Sequence, residues 1–139
     1  MLRSRWNVAL PAGKPAEGDA IMAKILVVDD AAFMRMRAVK LLTEEGHQVL
    51  EAENGAVALK VYKDQKPDVV LLDITMPEMD GLTALKEIRK FDPQARIAMV
   101  TAMGQQSIIL EALKSGAQDF VIKPFEKGRV IDAVSKLLR

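Results

Sequence analysis

Residues 24–30 read KILVVDD, a short run of branched apolar residues that ends in two acids. Similar runs stand before three other polar residues, with VVLL before Asp73, IAMV before Thr101 and DFVI before Lys123. Their length and their richness in Val, Ile and Leu predict strands buried on both faces of a parallel sheet. Because the carboxyl ends of parallel strands form one ligand-binding edge, we expect five distant side chains to converge there. They are Asp29, Asp30, Asp73, Thr101 and Lys123.

The composition is that of one aliphatic domain without cysteine chemistry. A length of 139 residues suits a single domain, and half of the residues are hydrophobic although only four Phe, one Tyr and one Trp occur. Three of the 20 basic and two of the 19 acidic residues precede residue 24, so residues 24–139 carry 17 of each. This neutral balance argues against a nucleic-acid partner. The absence of cysteine excludes disulfides, thiolate zinc sites and cysteine nucleophiles.

The first 22 residues differ from the rest of the chain. They include PAGKPAEGDA, lack apolar periodicity, and are predicted to form a flexible N-terminal extension. Because Met22 lies just before the first strand, we interpret it as the natural start and the residues before it as an upstream-start or cloning artefact. The alternative is that these residues form a genuine tail. No apolar run approaches the roughly 20 residues of a membrane span, and Val8 to Leu10 are too few for a signal sequence. We therefore expect a cytoplasmic protein with no membrane partner.

From Lys24 onward, strand and helix patterns alternate five times. The predicted strands are 24–28, 48–52, 68–72, 95–100 and 118–122. Apolar residues at helical spacing fill the intervals. Five such units predict an α/β three-layer sandwich, a five-stranded parallel sheet with five helices. QVLEA at 48–52 is the least apolar run and is predicted to be an edge strand, Gly46 and Gly116 are expected in left-handed conformations after helices, and His47 is predicted to be a surface residue.

The acids that are expected to meet need compensation, because two carboxylates 4 Å apart repel by about 4 kcal/mol at an effective dielectric constant of 20. Oxygen ligands without His or Cys suit Mg²⁺. Asp73 can act as a nucleophile that forms an aspartyl-phosphate, Lys123 can pair with phosphoryl oxygens, and Thr101 can donate a hydroxyl. The simpler alternative is that Asp30 only caps the next helix.

Four segments carry the signatures of a known family: ILVVDDAAFMRM, VVLLDITMPEMDG, VTAMGQ and GAQDFVIKPF. Through them, residues 23–139 resemble the receiver domains of two-component response regulators, and among these the free-standing chemotaxis members. The resemblance implies a flavodoxin-like sheet with strand order 2-1-3-4-5. It also implies that Asp73 accepts a phosphoryl group from a histidine kinase.

The same resemblance implies further roles for individual residues. Mg²⁺ would be held by Asp29, Asp30, Asp73 and the backbone carbonyl of Thr75. Thr101 and Lys123 would hold the phosphoryl oxygens, Lys123–Pro124 would be a cis peptide, and Thr101 and Phe120 would be the switch residues, with Phe120 moving inward.

The function that the resemblance implies is a monomeric signalling switch. It would catalyse only its own phosphorylation and dephosphorylation, and would change a protein-binding surface at helix 4, strand 5 and helix 5. The expected partners are the kinase, a flagellar motor switch protein or other output protein, and an aspartyl-phosphate phosphatase.

Three alternatives remain open. A phosphorelay shuttle that serves a histidine phosphotransfer protein would use the same site residues. A dehalogenase-type Mg²⁺ phosphatase would need a second Asp where Thr75 stands, and an FMN carrier would have to place phosphate beside Asp29 and Asp30.

Overall fold

The computed structural model of the chain describes residues 22–74, 76, 80–102 and 105–139. Five strands alternate with five helices along this part of the chain. In chain order they are β1 (Lys24–Val28), α1 (Ala32–Glu44), β2 (Gln48–Ala52), α2 (Gly55–Gln65), β3 (Val69–Asp73), α3 (Gly81–Phe91), β4 (Ile97–Ala102), α4 (Gln106–Lys114), β5 (Asp119–Lys123) and α5 (Lys127–Leu138). The predicted extension, apart from Met22, lies outside the described residues. Among the helices described here, none combines the length and apolarity required to cross a bilayer.

All strand pairs are parallel, and the strand order is β2-β1-β3-β4-β5. The predicted three-layer α/β fold and the order that the resemblance implied are therefore confirmed. β2 lies at one edge, as its polar sequence predicted. β1 and β3 are neighbours with Val28 opposite Leu72, so the residues that follow them emerge side by side.

The predicted bounds of three strands are wrong by one or two residues, whereas those of β1 and β2 are correct. β3, β4 and β5 each begin and end later than predicted. The prediction ended each of these strands before the polar residue that follows its apolar run. Backbone pairing includes that residue, with Asp73 opposite Val100 and Ala102 opposite Lys123. Asp73, Thr101 and Lys123 thus belong to the strands, and the pleat fixes the directions of their side chains.

Two apolar cores lie on opposite faces of the sheet, because successive strand residues point to opposite sides. Leu26 and Val28 face the core beneath α2, α3 and α4, whereas Ile25 and Val27 face the core beneath α1 and α5. Burial on both faces explains the continuous apolar runs of the central strands.

Helix ends follow the local sequence. The Asn54 side chain accepts from the Val57 N–H at 2.9 Å at the start of α2, and Asp80 caps α3 in the same way. Gly46 and Gly116 have φ angles of 95° and 112°, as predicted for residues that follow helices.

His47 lies beyond the end of α1 and is half-buried. Its Nδ1 accepts a hydrogen bond from the Ala23 N–H at 3.1 Å, and burial lowers its pKa although the charge of Glu45 opposes that shift. The prediction of a surface residue was wrong, because this imidazole satisfies a backbone donor at the start of β1.

Gly81, the first residue of α3, packs against the end of β3. A Cβ atom at this position would overlap the carbonyl oxygen of Asp73 and lie 2.7 Å from Ile74 Cα. The Gly81 N–H also donates to the Ile74 carbonyl oxygen at 2.8 Å. The backbone that carries Asp73 is therefore held at a distance from α3 that only glycine permits.

Replacing Gly81 with Ala is expected to lower the free energy of unfolding by about 1–3 kcal/mol, because backbone atoms must move to admit the methyl group. Urea unfolding measures this change. Gly128→Ala in α5 is the matched control, since no heavy atom lies within 4 Å of the added Cβ. It should be neutral or stabilising by up to about 1 kcal/mol. Equal stability of the two variants would contradict the close approach at Gly81.

Candidate functional site

Asp29, Asp30 and Asp73 meet at the carboxyl edge of the sheet. Each offers a carboxylate oxygen, and these three oxygens lie within 4.8 Å of one another. Asp73 ends β3, and Asp29 directly follows β1, the neighbouring strand. Asp29 and Asp73 are 4% and 5% exposed, whereas Asp30 is exposed. The structure thus brings together the three acids that the sequence predicted to meet, in a cup that opens to solvent beside Asp30.

Lys123 lies within the same cluster and partly balances its charge. Its Nζ is 2.9 Å from Asp29 Oδ2 and 3.4 Å from Asp73 Oδ2. Burial alone would lower the pKa of Lys123, but the hydrogen bond to Asp29 and the charges of Asp73 and Asp29 outweigh it and raise that pKa. The ammonium is therefore held in its charged form. One positive charge faces three carboxylates, which leaves a deficit that a divalent cation would match.

The donor set fits Mg²⁺. The clustered groups are carboxylates alone, without the nitrogen or sulfur ligands that zinc prefers. The exposed side at Asp30 gives water access, and Mg²⁺ usually retains several waters when one or two carboxylates bind it. Thr75, whose carbonyl is the remaining predicted ligand, lies outside the described residues, so its role stays a prediction.

The alternative interpretation of Asp30 as a helix cap is wrong. The N-cap residue of α1 is Ala31, and no side chain caps this helix. The nearest equivalent bond comes from Asp29, whose Oδ1 accepts from the Ala31 N–H at 2.9 Å. Asp30 is thus left at the mouth of the acidic cup with no structural task in helix initiation.

Thr101 is completely buried in β4, close along the chain to the start of α4. Its Oγ1 lies 2.7 Å from Gln105 Oε1. Position 101 is opposite Ile122 in β5, one residue before Lys123, so the hydroxyl lies at the same edge as the acids. The sequence predicted Thr101 at this edge but did not predict its partner.

One further feature of the segment around β5 agrees with what the resemblance implied. The Lys123–Pro124 peptide is cis, as the resemblance implied. Phe120 is partly buried and packs against the core beneath α2, α3 and α4, opposite Met99 in β4. The predicted inward movement of Phe120 requires a second state of the molecule and stays a prediction.

Sequence reasoning missed two residues that shape the site, Arg35 and Gln105. An Arg35 guanidinium nitrogen donates to the Asp29 carbonyl oxygen at 2.6 Å, and its Nε pairs with Glu51 Oε1 at 3.0 Å. Arg35 therefore holds the backbone of the first acid against β2. The sequence signal that could have identified Arg35 is its position as the fourth residue of α1, a helix that begins just after Asp30.

Comparisons with known proteins agree with this geometry. A family model described as "Response regulator receiver domain" matches residues 25–135. The chain is 57% identical to the chemotaxis protein CheY of Bacillus subtilis over 116 residues, which are 83% of this chain and 97% of that protein. It is 38% identical to sporulation initiation phosphotransferase F of Bacillus subtilis over 115 residues, 83% of this chain and 93% of that protein.

A solved structure also resembles this chain. It is the CheX–CheY–BeF₃–Mg²⁺ complex from Borrelia burgdorferi, which matches with a TM-score of 0.79 and 35% identity. The match covers 84% of this chain and 89% of that one.

Lys123→Met, measured without divalent cations, is expected to lower the free energy of unfolding by about 1–3 kcal/mol, because the buried acids lose their cation. A raised pKa means that Lys123 contributes fully at pH values below its unfolded pKa of about 10.4 and less as pH rises through the folded value. The difference between variant and parent should therefore be constant between about pH 7 and 9 and shrink above about pH 10.5.

Lys40→Met provides the control for removal of a lysine charge. Lys40 is exposed on α1, and no ion pair involves it within the part of the chain that the structure describes. Its loss should change stability by less than about 0.5 kcal/mol. If Lys123→Met were as stable as Lys40→Met, the bridge would not be what stabilises the acid cluster.

Proposed function

The chain belongs to the response regulator receiver domain family, and from this we propose that it is a phosphorylation switch in which Asp73 accepts the phosphoryl group. The observation that supports this proposal is the cluster of Asp29, Asp30 and Asp73, in which Lys123 pairs with Asp29 and Asp73. A histidine kinase is the proposed donor. The chain would catalyse only its own phosphorylation and dephosphorylation, with no separate substrate.

The proposed reaction transfers the phosphoryl group from a donor imidazole to Asp73 and later from Asp73 to water. An Asp73 carboxylate oxygen forms a bond to phosphorus while the P–N bond to the donor imidazole breaks, and the imidazole takes up a proton. In dephosphorylation, a water oxygen bonds to phosphorus while the P–O bond to Asp73 breaks. Inorganic phosphate leaves with the two protons of the water, and the Asp73 carboxylate is restored. Mg²⁺ held by Asp29, Asp30 and Asp73 would neutralise charge on the phosphoryl oxygens during both steps.

The residues around Asp73 have separate tasks in this proposal. Lys123 already lies 3.4 Å from an Asp73 oxygen, so its ammonium can pair with a phosphoryl oxygen after a small movement. Asp29 holds that ammonium in place at 2.9 Å. The burial of Asp73 limits water access, because its side chain is only 7% exposed. Thr101 would donate its hydroxyl to another phosphoryl oxygen.

An apolar groove between α4 and β5 is the proposed output surface. Its volume is about 410 Å³, and its lining includes Ile109, Leu110, Leu113, Phe120 and Ile122. Leu110 and Ile122 are 59% and 42% exposed, and large apolar side chains exposed within one groove are typical of an interaction surface. Phosphorylation adds about 1.5–2 negative charges at the neighbouring edge, which would shift the population of groove conformations.

We propose a flagellar motor switch protein as the output partner, which would make the chain a regulator of flagellar rotation in chemotaxis. The similarity to chemotaxis protein CheY supports this choice. The similarity to the CheX–CheY complex supports an aspartyl-phosphate phosphatase as a further partner.

A second candidate, the phosphorelay shuttle, is supported by the similarity to sporulation initiation phosphotransferase F. The dehalogenase-type phosphatase and the FMN carrier lack comparable support, since the matched family is that of receiver domains.

Incubation with acetyl phosphate and Mg²⁺ should add one phosphoryl group, which intact-mass spectrometry detects and peptide mapping should assign to Asp73. Asp73→Asn should abolish the label, and EDTA should suppress it, because the acid cluster then lacks its divalent cation. Asp64→Asn, at an exposed position of α2, is the control and should label normally. Persistent labelling of the Asp73 variant would place the acceptor elsewhere and refute the proposed site.

Saturation with beryllofluoride and Mg²⁺ should make the immobilised protein retain a purified flagellar switch protein. Ile122→Ser in the groove should reduce retention at least about tenfold, as expected for an apolar contact at the centre of an interface. Val57→Ser on α2, where the valine is 37% exposed, is the matched control and should have no effect. Retention of a histidine phosphotransfer protein instead would favour the shuttle.

A further inference from the structure

Gln105 contacts the buried Thr101 hydroxyl from the N-terminal end of α4. Its Oε1 lies 2.7 Å from Thr101 Oγ1 and 3.1 Å from the Ala102 backbone nitrogen. Thr101 Oγ1 also lies 3.2 Å from the Ala102 carbonyl oxygen, which is the longer contact. One amide oxygen thus joins the end of β4 to the residue that directly precedes α4.

The two contacts define the direction of the hydrogen bonds. A backbone N–H can only donate, so the Gln105 atom that faces the Ala102 nitrogen must be the carbonyl oxygen and not the amide nitrogen. That oxygen has no proton, so the hydroxyl of Thr101 must be the donor in the 2.7 Å contact. A hydroxyl has a single proton, which is committed here to Gln105.

We propose that Gln105 is a positioning residue that competes with the phosphoryl group for the Thr101 hydroxyl and so sets how readily the switch operates. This inference rests on the proposed function. For Thr101 to donate to a phosphoryl oxygen on Asp73, its bond to Gln105 must break. The hydrogen bond to Gln105 then opposes the phosphorylated arrangement. The strength of this bond determines the fraction of molecules in that arrangement before and after phosphorylation.

The strengths of the two bonds make this competition effective in both directions. A hydrogen bond between neutral groups is weak enough to be replaced by one to a charged oxygen, which is roughly twice as strong. It is also strong enough to change an equilibrium by about 2- to 12-fold. Gln105 is therefore expected to tune switching and not to prevent it.

The position of Gln105 also connects the acid cluster to the groove. Besides accepting from Thr101, Gln105 lines the apolar groove together with Ile109 and Phe120. When Thr101 turns its proton toward Asp73, the Gln105 side chain loses its bond to that hydroxyl, and the end of the groove can rearrange. A single side chain thus contacts both the proposed switch residue and the proposed output surface.

Gln105→Ala should tighten beryllofluoride binding in saturating Mg²⁺ by about 2- to 12-fold, because no bond to the amide must be broken. Fluorine NMR titration measures this affinity in the full chain. The Mg²⁺ affinity without beryllofluoride should be unchanged. A purely structural role would weaken binding or leave it unaltered, so a gain in affinity separates the two.

Gln106→Ala is the matched control, since this neighbouring glutamine is exposed and no hydrogen bond to Thr101 is seen for it among the described residues. The gain should also vanish in a Thr101→Val background, where the hydroxyl is absent and Gln105→Ala should change the affinity by less than about 1.5-fold. An unchanged or weaker affinity of Gln105→Ala, or the same gain in the valine background, would overturn the inference. If the parent protein binds no beryllofluoride at all, the proposed function itself fails.

Discussion

The carboxyl edge of the sheet depends on the ion pairs that the Lys123 ammonium makes with Asp29 and Asp73. Two buried carboxylates lie within 3.4 Å of this ammonium, and a third acid completes the cluster at the solvent side. Each close pair of acids repels by several kcal/mol at an intermediate dielectric constant, for example about 4 kcal/mol at 4 Å. One lysine offsets only part of this repulsion, so the cluster retains an attraction for a further cation. The incomplete balance leaves an acidic cluster whose charge suits a divalent cation such as Mg²⁺.

The rest of the fold keeps these mutually repelling groups from moving apart. The backbone at Asp73 is pressed against Gly81 at the start of α3, and the carbonyl of Asp29 is held by the guanidinium of Arg35. Parallel pairing of β1 with β3 sets the spacing between the two strands that carry the acids. These restraints act on backbone atoms, so they fix the attachment points of Asp29 and Asp73 without using the carboxylate oxygens.

The sequence predicted the fold and the meeting of the acids because both depend on pattern. Apolar runs show where strands lie, and a parallel sheet places the carboxyl ends of all its strands at one edge, whatever the order of the strands. The ends of β3, β4 and β5 were less predictable, since Asp73 or Lys123 looks like the end of an apolar run yet still pairs through its backbone. The strand order needed the resemblance, because several right-handed arrangements satisfy the same pattern.

The sequence alone could not predict which side chains contact residues of other helices and strands. Gln105 was visible only as the start of a helix, and which atom its flexible amide contacts depends on the distance between β4 and α4. His47 was predicted at the surface because an isolated histidine has no pattern, whereas the structure uses it to satisfy the Ala23 N–H.

The contact between Gln105 and Thr101 could not be predicted from sequence pattern. A contact of this kind is also what would distinguish a switch from a rigid metal site. A cluster of acids and a lysine can bind a cation and a phosphoryl group without altering anything distant. Transmission needs a group whose bonding must change, and the Thr101 hydroxyl meets this condition because it has one proton and is completely buried. Its present acceptor, Gln105, stands at the edge of the α4–β5 groove. In the proposed function, the choice between two acceptors for this one proton would couple phosphorylation of Asp73 to the arrangement of that groove.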